Sequence, residues 1–321
     1  MLTAWERRLE RIRRDRRSGA SVLLAGGIEA ARVFLAGTRR LPPGRLQAAL
    51  ERFTLRLTAS QPSMAAFLTL ANALWLACSE LRGESPCWPA LHDALVRYAD
   101  GVDRGLRASV GQTAALIRTR SRVLTYSSST AVRLALWRAM ASGRRFEVVC
   151  SESRPMCEGV TLARRLAALG IPVHLVVDAA LAEWVERANL ILLGADAVTP
   201  ASLVNKVGTE PLLHAARRNG VSACVVADSS KWLPEPLARF WGVREEPPGE
   251  IARPSDPNLL VHNRYFGTSP LSLVSGVVWE GGMARPVEVR RRIARLPVSA
   301  ALVNLLGRAG PGNREPKSKG A

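Results

Sequence analysis

Two lysines lie beside predicted strands in a chain whose other cations are almost all arginines. The sequence holds four lysines among its 45 lysines and arginines. Lys206 falls in the run Asn205–Thr209 and Lys231 ends the run Ala227–Lys231, while the other two lie in the polar C-terminal stretch. Lysine presents a compact ammonium group, whereas arginine presents a planar fork. The two positions therefore indicate sites that need a point charge, and chance retention of two lysines is the alternative.

A run of small hydroxyl residues follows the first predicted strand. Ser127, Ser128, Ser129 and Thr130 stand where a helix is predicted to begin. Free backbone N–H groups and hydroxyls at a helix N-terminus bind anions, because the helix dipole is positive there. The run predicts an anion site, and an ordinary helix cap is the alternative.

The second and third predicted strands also end in polar residues. Arg154 precedes Pro155, which holds its backbone extended and suits a guanidinium aimed at a phosphate. An exposed loop arginine is the alternative. Asp178 ends the third strand, where it would either bind a sugar hydroxyl or cap the next helix.

The fourth predicted strand leads into Asp196, a candidate acid/base or hydroxyl-binding group whose burial would raise its pKa. Asn205 and Lys206 add an amide and a positive charge at the same edge, and the fifth strand adds Asp228 and Lys231. Such polar groups at neighbouring strand ends predict a phosphorylated ligand.

An alternation of short β-rich runs with helical segments is predicted to position these residues. The predicted strands are Arg122–Tyr126, Phe146–Cys150, Val173–Val177, Leu190–Leu193 and Ala223–Ala227, with a further strand within Pro270–Trp279. The predicted helices between them are Thr130–Ser142, Gly159–Leu169, Ala179–Ala188 and Glu210–Asn219. This alternation predicts an α/β fold with a doubly wound parallel sheet, in which ligands bind beyond the carboxyl ends of the strands.

The first part of the chain has a helical rhythm instead. Apolar residues recur at three- and four-residue spacing up to about residue 120. We therefore predict a helical N-terminal domain over residues 1–120, a Rossmann-like ligand-binding domain over 121–308 and a disordered tail over 309–321.

Composition limits the choice of partner. The 321 residues carry a formal charge of +18, which favours anionic partners, but no zinc-ligand spacing, RNA-binding aromatic signature or basic zipper points to nucleic acid. Five cysteines without CxxC spacing and four scattered histidines argue against disulfides and a structural metal, and no cofactor is expected. The charged start lacks a signal-peptide core and no uncharged apolar run is long enough to cross a bilayer, so a cytoplasmic protein without membrane contact is predicted.

The motifs resemble one family: the alpha, beta and delta regulatory subunits of translation initiation factor 2B and the related isomerases of ribose 1,5-bisphosphate and methylthioribose 1-phosphate. The matching stretches are Leu124–Thr130, Glu152–Pro155 with Glu158-Gly159, Gly194–Val198, Asn205–Thr209, Asp228–Trp232, Asn263–Pro270 and Trp279–Met283. The resemblance covers residues 121–290 in order and implies a helical domain on a Rossmann-like domain that forms a homodimer through its C-terminal part.

The sequence departs from the isomerases at one position. The resemblance implies a catalytic aspartate at Asp196, but it places the family's catalytic cysteine on Ser127 and the neighbouring histidine on Tyr126. A thiol exchanges protons near neutral pH, whereas a serine hydroxyl needs a dedicated base. The Lys231-Trp232 pair is more similar to the initiation-factor and ribose-bisphosphate branches than to the methylthioribose branch.

Three hypotheses follow. The first is a protein that binds a sugar phosphate or nucleotide monophosphate without the cysteine-dependent isomerase activity, through Ser127–Thr130, Arg154, Asn205, Lys206 and Lys231, with Asp196 on a sugar hydroxyl. The second is an aldose–ketose isomerase in which Asp196 moves the proton and Ser127, Cys150 or a water replaces the thiol. The third is a protein-interaction scaffold in translation.

Overall fold

Helices fill the first third of the chain, as the apolar spacing predicts. The computed structural model describes residues 2–16, 18–79, 87–253 and 256–310. The first helices are α1 (Ala4–Arg14), α2 (Ala20–Thr38), α3 (Pro43–Ser60), α4 (Ala65–Ser79) and α5 (Trp88–Leu116). Thr3 and Glu6 form a capping box that begins α1, and Trp5 packs edge-on against Phe34 and Phe53. These helices are joined by one apolar core.

Strands and helices then alternate. The strands are β1 (Arg122–Thr125), β2 (Glu147–Ser151), β3 (Val173–Val176), β4 (Leu190–Gly194), β5 (Ala197–Val198), β6 (Ser202–Lys206), β7 (Ala223–Val226), β8 (Phe266–Pro270), β9 (Gly276–Trp279) and β10 (Gly282–Ala284). The helices among and after them are α6 (Thr130–Ala141), α7 (Glu158–Ala168), α8 (Thr209–Arg218), α9 (Glu235–Ala238), α10 (Pro286–Ile293) and α11 (Ala300–Ala309).

The main sheet has the order of a doubly wound fold. Within the described residues its seven strands run β10-β9-β7-β4-β1-β2-β3, and all pairings except β9 with β10 are parallel. The chain order reverses between β1 and β4, so a crevice opens beyond their carboxyl ends. The predicted α/β class, with a helical region before a parallel sheet, is confirmed.

A second, antiparallel sheet was not predicted. It has the order β5-β6-β8, and its members are only two to five residues long. The segment Pro270–Trp279 is the end of β8, a short 3₁₀ helix and β9, rather than one strand. The predicted helix Ala179–Ala188 is a 3₁₀ helix over Asp178–Arg187.

The two regions of the chain are in contact. Leu302 and Leu306 of α11 are buried in the core of the N-terminal helices, together with Val204 of β6. The division into domains at residue 120 stays a prediction, and the predicted tail lies outside the described residues from residue 311 onward.

Among the described residues, one helix, α2, is long and apolar enough to cross a membrane by length and composition alone. Several of its apolar side chains, among them Leu24, Phe34 and Leu35, are buried against the neighbouring helices, whereas Val22 is exposed. A core helix of a folded protein passes the same test, and these contacts make α2 such a helix.

Candidate functional site

A cavity of about 730 Å³ lies at the point where the strand order reverses. The carboxyl ends of β1 and β4 form its floor, the end of β6 forms one wall, and the start of α2 covers it. Of the residues predicted for the site, the following line it: Ser127, Ser128, Ser129, Thr130, Asp196, Asn205, Lys206 and Lys231. The fold thus brings together residues up to about a hundred positions apart in the chain.

The hydroxyl run forms the floor of the cavity. Ser127 adopts a left-handed backbone (φ 65°), and its N–H donates to Ser153 Oγ over 3.1 Å. Its own Oγ donates to Glu158 Oε1 over 2.7 Å. Ser129 is the N-cap of α6 and accepts from the Val132 N–H. The run is therefore both a helix cap and part of the cavity, so the two sequence interpretations coexist.

Two helices begin side by side at this floor. Gly19, the N-cap of α2, has no side chain to bond the first N–H groups, and a Cβ built on it would lie 3.6 Å from the Ser128 carbonyl oxygen. Ala20 and Ser21 of α2 line the cavity beside Thr130 of α6. Both helix dipoles present their positive ends to the same space, which favours a bound anion.

Glu158, the first residue of α7, connects Ser127 to Lys206. The Lys206 Nζ lies 3.0 Å from Glu158 Oε1 and 5.4 Å from the centre of the Tyr265 ring. Lys206 is only 3 % exposed, so its ammonium is held largely by this ion pair and the aromatic face. Gly159 allows α7 to begin here, because a Cβ at that position would lie 1.8 Å from the Ser151 carbonyl oxygen.

Asp196 also lines the cavity. Its backbone is fixed by hydrogen bonds to Val204 and from Ala65, but its carboxylate has no hydrogen bond or ion pair to another described residue. Burial raises the pKa of Asp196 to about 6, opposed by the positive charge of Lys231 and reinforced by the negative charge of Glu158. A carboxyl group with this pKa can give and take protons near neutral pH.

Lys231 and Asn205 line the cavity as well. Lys231 is 7 % exposed, and its ammonium forms no ion pair or hydrogen bond with the residues that the structure describes. Asp228 caps the short 3₁₀ helix that carries Lys231 by accepting from the Ser230 N–H. Asn205 is buried and donates from Nδ2 to Thr209 Oγ1 over 3.1 Å.

Arg154 lies apart from these groups. Its side chain is exposed and is not part of the described cavity lining, although Pro155 and Met156 beside it are. Asp178 accepts from the N–H groups of Ser153 and Arg154 over 2.7 Å each. Asp178 therefore holds this loop in place, which explains its polar character without a ligand, and the same loop turns the Arg154 side chain toward solvent.

The cysteine and tyrosine near the site are structural. Cys150 is fully buried in β2, and burial raises the pKa of its thiol to about 11. The Tyr126 hydroxyl donates to the Val207 carbonyl oxygen over 2.6 Å, which ties β1 to the end of β6. Neither residue presents a proton-exchanging group to the cavity at neutral pH. Among the described residues, no cluster of His, Cys, Asp or Glu could hold a metal ion.

Sequence reasoning missed several contributors. Glu158 was noticed only as part of a matching motif, and the start of α2 was not connected to the site at all. Arg133 and Arg165 also line the cavity. The described lining carries six cationic and four acidic side chains: Arg16, Arg133, Arg165, Lys206, Lys231 and Arg244 against Asp15, Glu158, Asp196 and Glu246. A glycine just before an apolar helix was the available signal for the α2 contribution.

Fold and site together define an α/β protein with an anion-receptive crevice at the carboxyl edge of its parallel sheet. A model of the Initiation factor 2 subunit family matches residues 20–286. The chain belongs to this family, which confirms the resemblance found in the motifs.

Relatives of two kinds share this ancestry. The ribose 1,5-bisphosphate isomerase of Methanocaldococcus jannaschii is 28% identical over 174 residues, which is 53% of this chain and 56% of that protein. The match thus spans only about half the length of that isomerase. A protein of Pyrococcus horikoshii, named as like subunit 2 of translation initiation factor eIF-2B, is 28% identical over 279 residues, 87% of this chain and 95% of its own.

Solved structures agree with the fold. The structure of translation initiation factor eIF-2B from Pyrococcus horikoshii matches with a TM-score of 0.76 and 26% identity, covering 89% of this chain and 98% of its own. The 5-methylthioribose 1-phosphate isomerase of the same organism matches with a TM-score of 0.68 and 20% identity, covering 90% and 87%, and supports the fold alone.

Proposed function

We propose that the cavity binds a phosphorylated sugar or a nucleoside monophosphate, with the phosphate at the paired starts of α2 and α6. The observation that carries this proposal is the Lys231 ammonium, which is 7 % exposed and forms no ion pair or hydrogen bond with a described residue, the Asp196 carboxylate acting on it only at longer range. A buried charge without a hydrogen-bonded counter-ion is costly, and a ligand phosphate would supply one.

The surrounding groups support the same ligand. Ser128 and Thr130 offer hydroxyls at the floor, and Asn205 and Asp196 offer hydrogen-bonding groups to sugar hydroxyls. The excess of positive charge in the lining favours a dianion over a neutral sugar. Arg154 is not used in this arrangement, because its side chain is exposed outside the lining.

The cysteine-dependent isomerase reaction is not part of this proposal. Ser127 occupies the position that the resemblance assigns to the catalytic thiol, and its proton is directed to Glu158. Cys150 cannot replace it, since burial keeps its thiol protonated. Aldose–ketose isomerisation by another route is the second candidate function, and it is favoured by the raised pKa of Asp196 inside the cavity.

Thermal shift tests the proposal directly. Wild-type protein is heated with ribose 1,5-bisphosphate, ribose 5-phosphate, AMP or inorganic phosphate. A ligand at a hundred times its Kd stabilises the fold by roughly 2.7 kcal/mol. Lys231→Met removes the charge and keeps the shape, so it should lose the shift, whereas Lys317→Ala, outside the described residues, should keep it. No shift with any of these compounds would contradict the proposal and favour the scaffold hypothesis.

We also propose a homodimer that forms through the sheet-bearing region, in the cytoplasm. β3 is the outer strand of the main sheet, and Leu175 and Val177 at its end are 46% and 57% exposed. Exposed apolar side chains at a sheet edge favour association with another chain. Light scattering of wild type and Leu175→Glu checks the assembly, and cell fractionation checks the location.

A further inference from the structure

Two carboxylates line the same cavity in opposite surroundings. Glu158 accepts from Ser127 Oγ over 2.7 Å and pairs with the Lys206 Nζ at 3.0 Å. Asp196 has neither kind of partner among the described residues, and burial raises its pKa to about 6. Enzymes that move protons between carbon and oxygen often pair one carboxylate held as a base with a second carboxyl group that carries the proton.

We infer that Glu158 and Asp196 form a proton-transferring pair for a sugar phosphate, with Glu158 accepting the proton from carbon in place of the family's thiol. This inference rests on the proposed binding function. Ser127 and Lys206 are positioning residues in it, because they fix the Glu158 carboxylate and do not exchange protons with the ligand. Its substrate class is an aldose phosphorylated at C1.

The position of Glu158 supports its use as the base in place of the family's thiol. The Ser127 hydroxyl, at the place of the thiol, donates a hydrogen bond to the Glu158 carboxylate, so the proton acceptor at that place is the carboxylate. A carboxylate has about four acceptor sites, and the contacts from Ser127 and Lys206 leave others free. The Glu158 side chain is 23% exposed and lines the cavity, so a ligand can reach it.

The proposed reaction balances without a further reactant. Glu158 takes the C2 proton, the C–H electrons form a C1–C2 double bond, and the C1–O4 ring bond breaks as Asp196 protonates the ring oxygen. Asp196 then takes the C2 hydroxyl proton, a C2 carbonyl forms, and the double-bond electrons take the proton from Glu158 at C1. The aldose becomes a ketose with its C1 phosphate intact, and both carboxyl groups return to their starting states.

Turnover of ribose 1,5-bisphosphate in D₂O tests the inference. Proton NMR measures the formation of the ketose and any deuterium at its C1. Glu158→Gln should lower kcat by about 10²–10⁴-fold, the usual contribution of a general base. Glu158→Asp keeps the charge in case the first variant folds poorly, and it should also lose most of kcat because its carboxylate is withdrawn. Glu152→Gln makes the same change six residues earlier in the chain, and its kcat should match that of the wild type.

Ser127→Ala separates the two candidates for the base. If Glu158 is the base, this variant should lose only about fivefold in kcat, since one hydrogen bond of about 1 kcal/mol is removed. A loss as large as that of Glu158→Gln would overturn the inference in favour of the serine.

The failure of the inference differs from the failure of the binding proposal. Wild-type protein that is stabilised by ribose 1,5-bisphosphate but forms no ketose would overturn the inference and leave binding intact. Normal kcat in both Glu158 variants would also overturn it. No stabilisation by any phosphorylated sugar, nucleotide or phosphate would remove both.

Discussion

The two sides of the cavity satisfy their charges in different ways. On one side, Glu158 at the start of α7 binds both Ser127, which follows β1, and Lys206, which ends β6. On the side of β4 and β7, Asp196 and Lys231 face the space without such partners among the described residues. The charges of the first side are paired within the protein, whereas the second side has charges that a ligand would complete.

An adjoining hollow of about 270 Å³ sharpens the contrast. Its lining includes Asp196 and Lys231, apolar residues of α2 and α5 such as Leu24, Ile28 and Leu106, and the charged residues Arg32, Asp103 and Asp228. Burial on this side raises the pKa of Asp196. In the proposed account, the side of Lys231 binds the phosphate of the ligand. Glu158 and Asp196, one on each side, exchange protons with its sugar.

The largest effect is expected from Asp196→Asn. If the second carboxyl group carries the proton, turnover of ribose 1,5-bisphosphate should fall by about 10²–10⁴-fold. Phosphate-induced stabilisation should remain, because Lys231 and the helix starts are unchanged. Steady-state kinetics and thermal shift on the same preparation check this, and unchanged kcat would mean that the unpartnered side takes no part in proton transfer.

The glycines that support the two sides should differ in stability. Gly159→Ala places a Cβ 1.8 Å from the Ser151 carbonyl oxygen, and Gly194→Ala places one 2.6 Å from Ser129 Cβ. Overpacking costs about 1–3 kcal/mol and more where backbone blocks the way, so Gly159→Ala should be the more damaging. Urea unfolding measures both, and Gly37→Ala, with open space around it, is the control. Equal losses would contradict the crowding at Gly159.

The sequence predicts five strands of the main sheet and several of the residues that line the candidate site. Five strands were predicted within a residue or two, because buried runs such as Leu190–Leu193 are continuous and bounded by turns. β6 was missed, since Asn205 and Lys206 at its end have the polarity of a loop, and only pairing with β8 makes the segment a strand. The part played by Glu158 and α2 depends on tertiary contacts, which no local pattern contains.

A smaller effect, of opposite sign, is expected for the stability of Asp196→Asn. The folded pKa of about 6 exceeds the usual 3.8, so the native state binds more protons between these values and wild-type stability falls as pH rises through them. Asparagine does not ionise, so the variant does not lose stability in this way. The variant should be more stable by about 1–3 kcal/mol at pH 7.5 and equal to wild type below pH 4.

The nearby charges set the limits of that gain. In the variant, Lys231 and Lys206 lose a counter-charge, which reduces the gain in stability. Glu158 loses a repulsive neighbour, which increases that gain. Urea denaturation at pH 7.5 and pH 4 measures the difference. A variant less stable than wild type at pH 7.5 would show that the lysines already stabilise the ionised carboxylate.

The smallest effect is expected at Tyr126. Tyr126→Phe removes the 2.6 Å hydrogen bond to the Val207 carbonyl oxygen, at a cost of about 0.5–1.5 kcal/mol. Turnover and phosphate binding should stay close to wild type, since the hydroxyl is used in the fold. Kinetics and urea unfolding check this, and a large loss of kcat with normal stability would give Tyr126 a chemical role.

A crystal structure of the wild-type protein with ribose 1,5-bisphosphate tests the central proposal most directly. We predict one phosphate at the starts of α2 and α6 within reach of Lys231, and the sugar carbons between Glu158 and Asp196. A ligand bound elsewhere, or an empty cavity at saturating ligand, would contradict it.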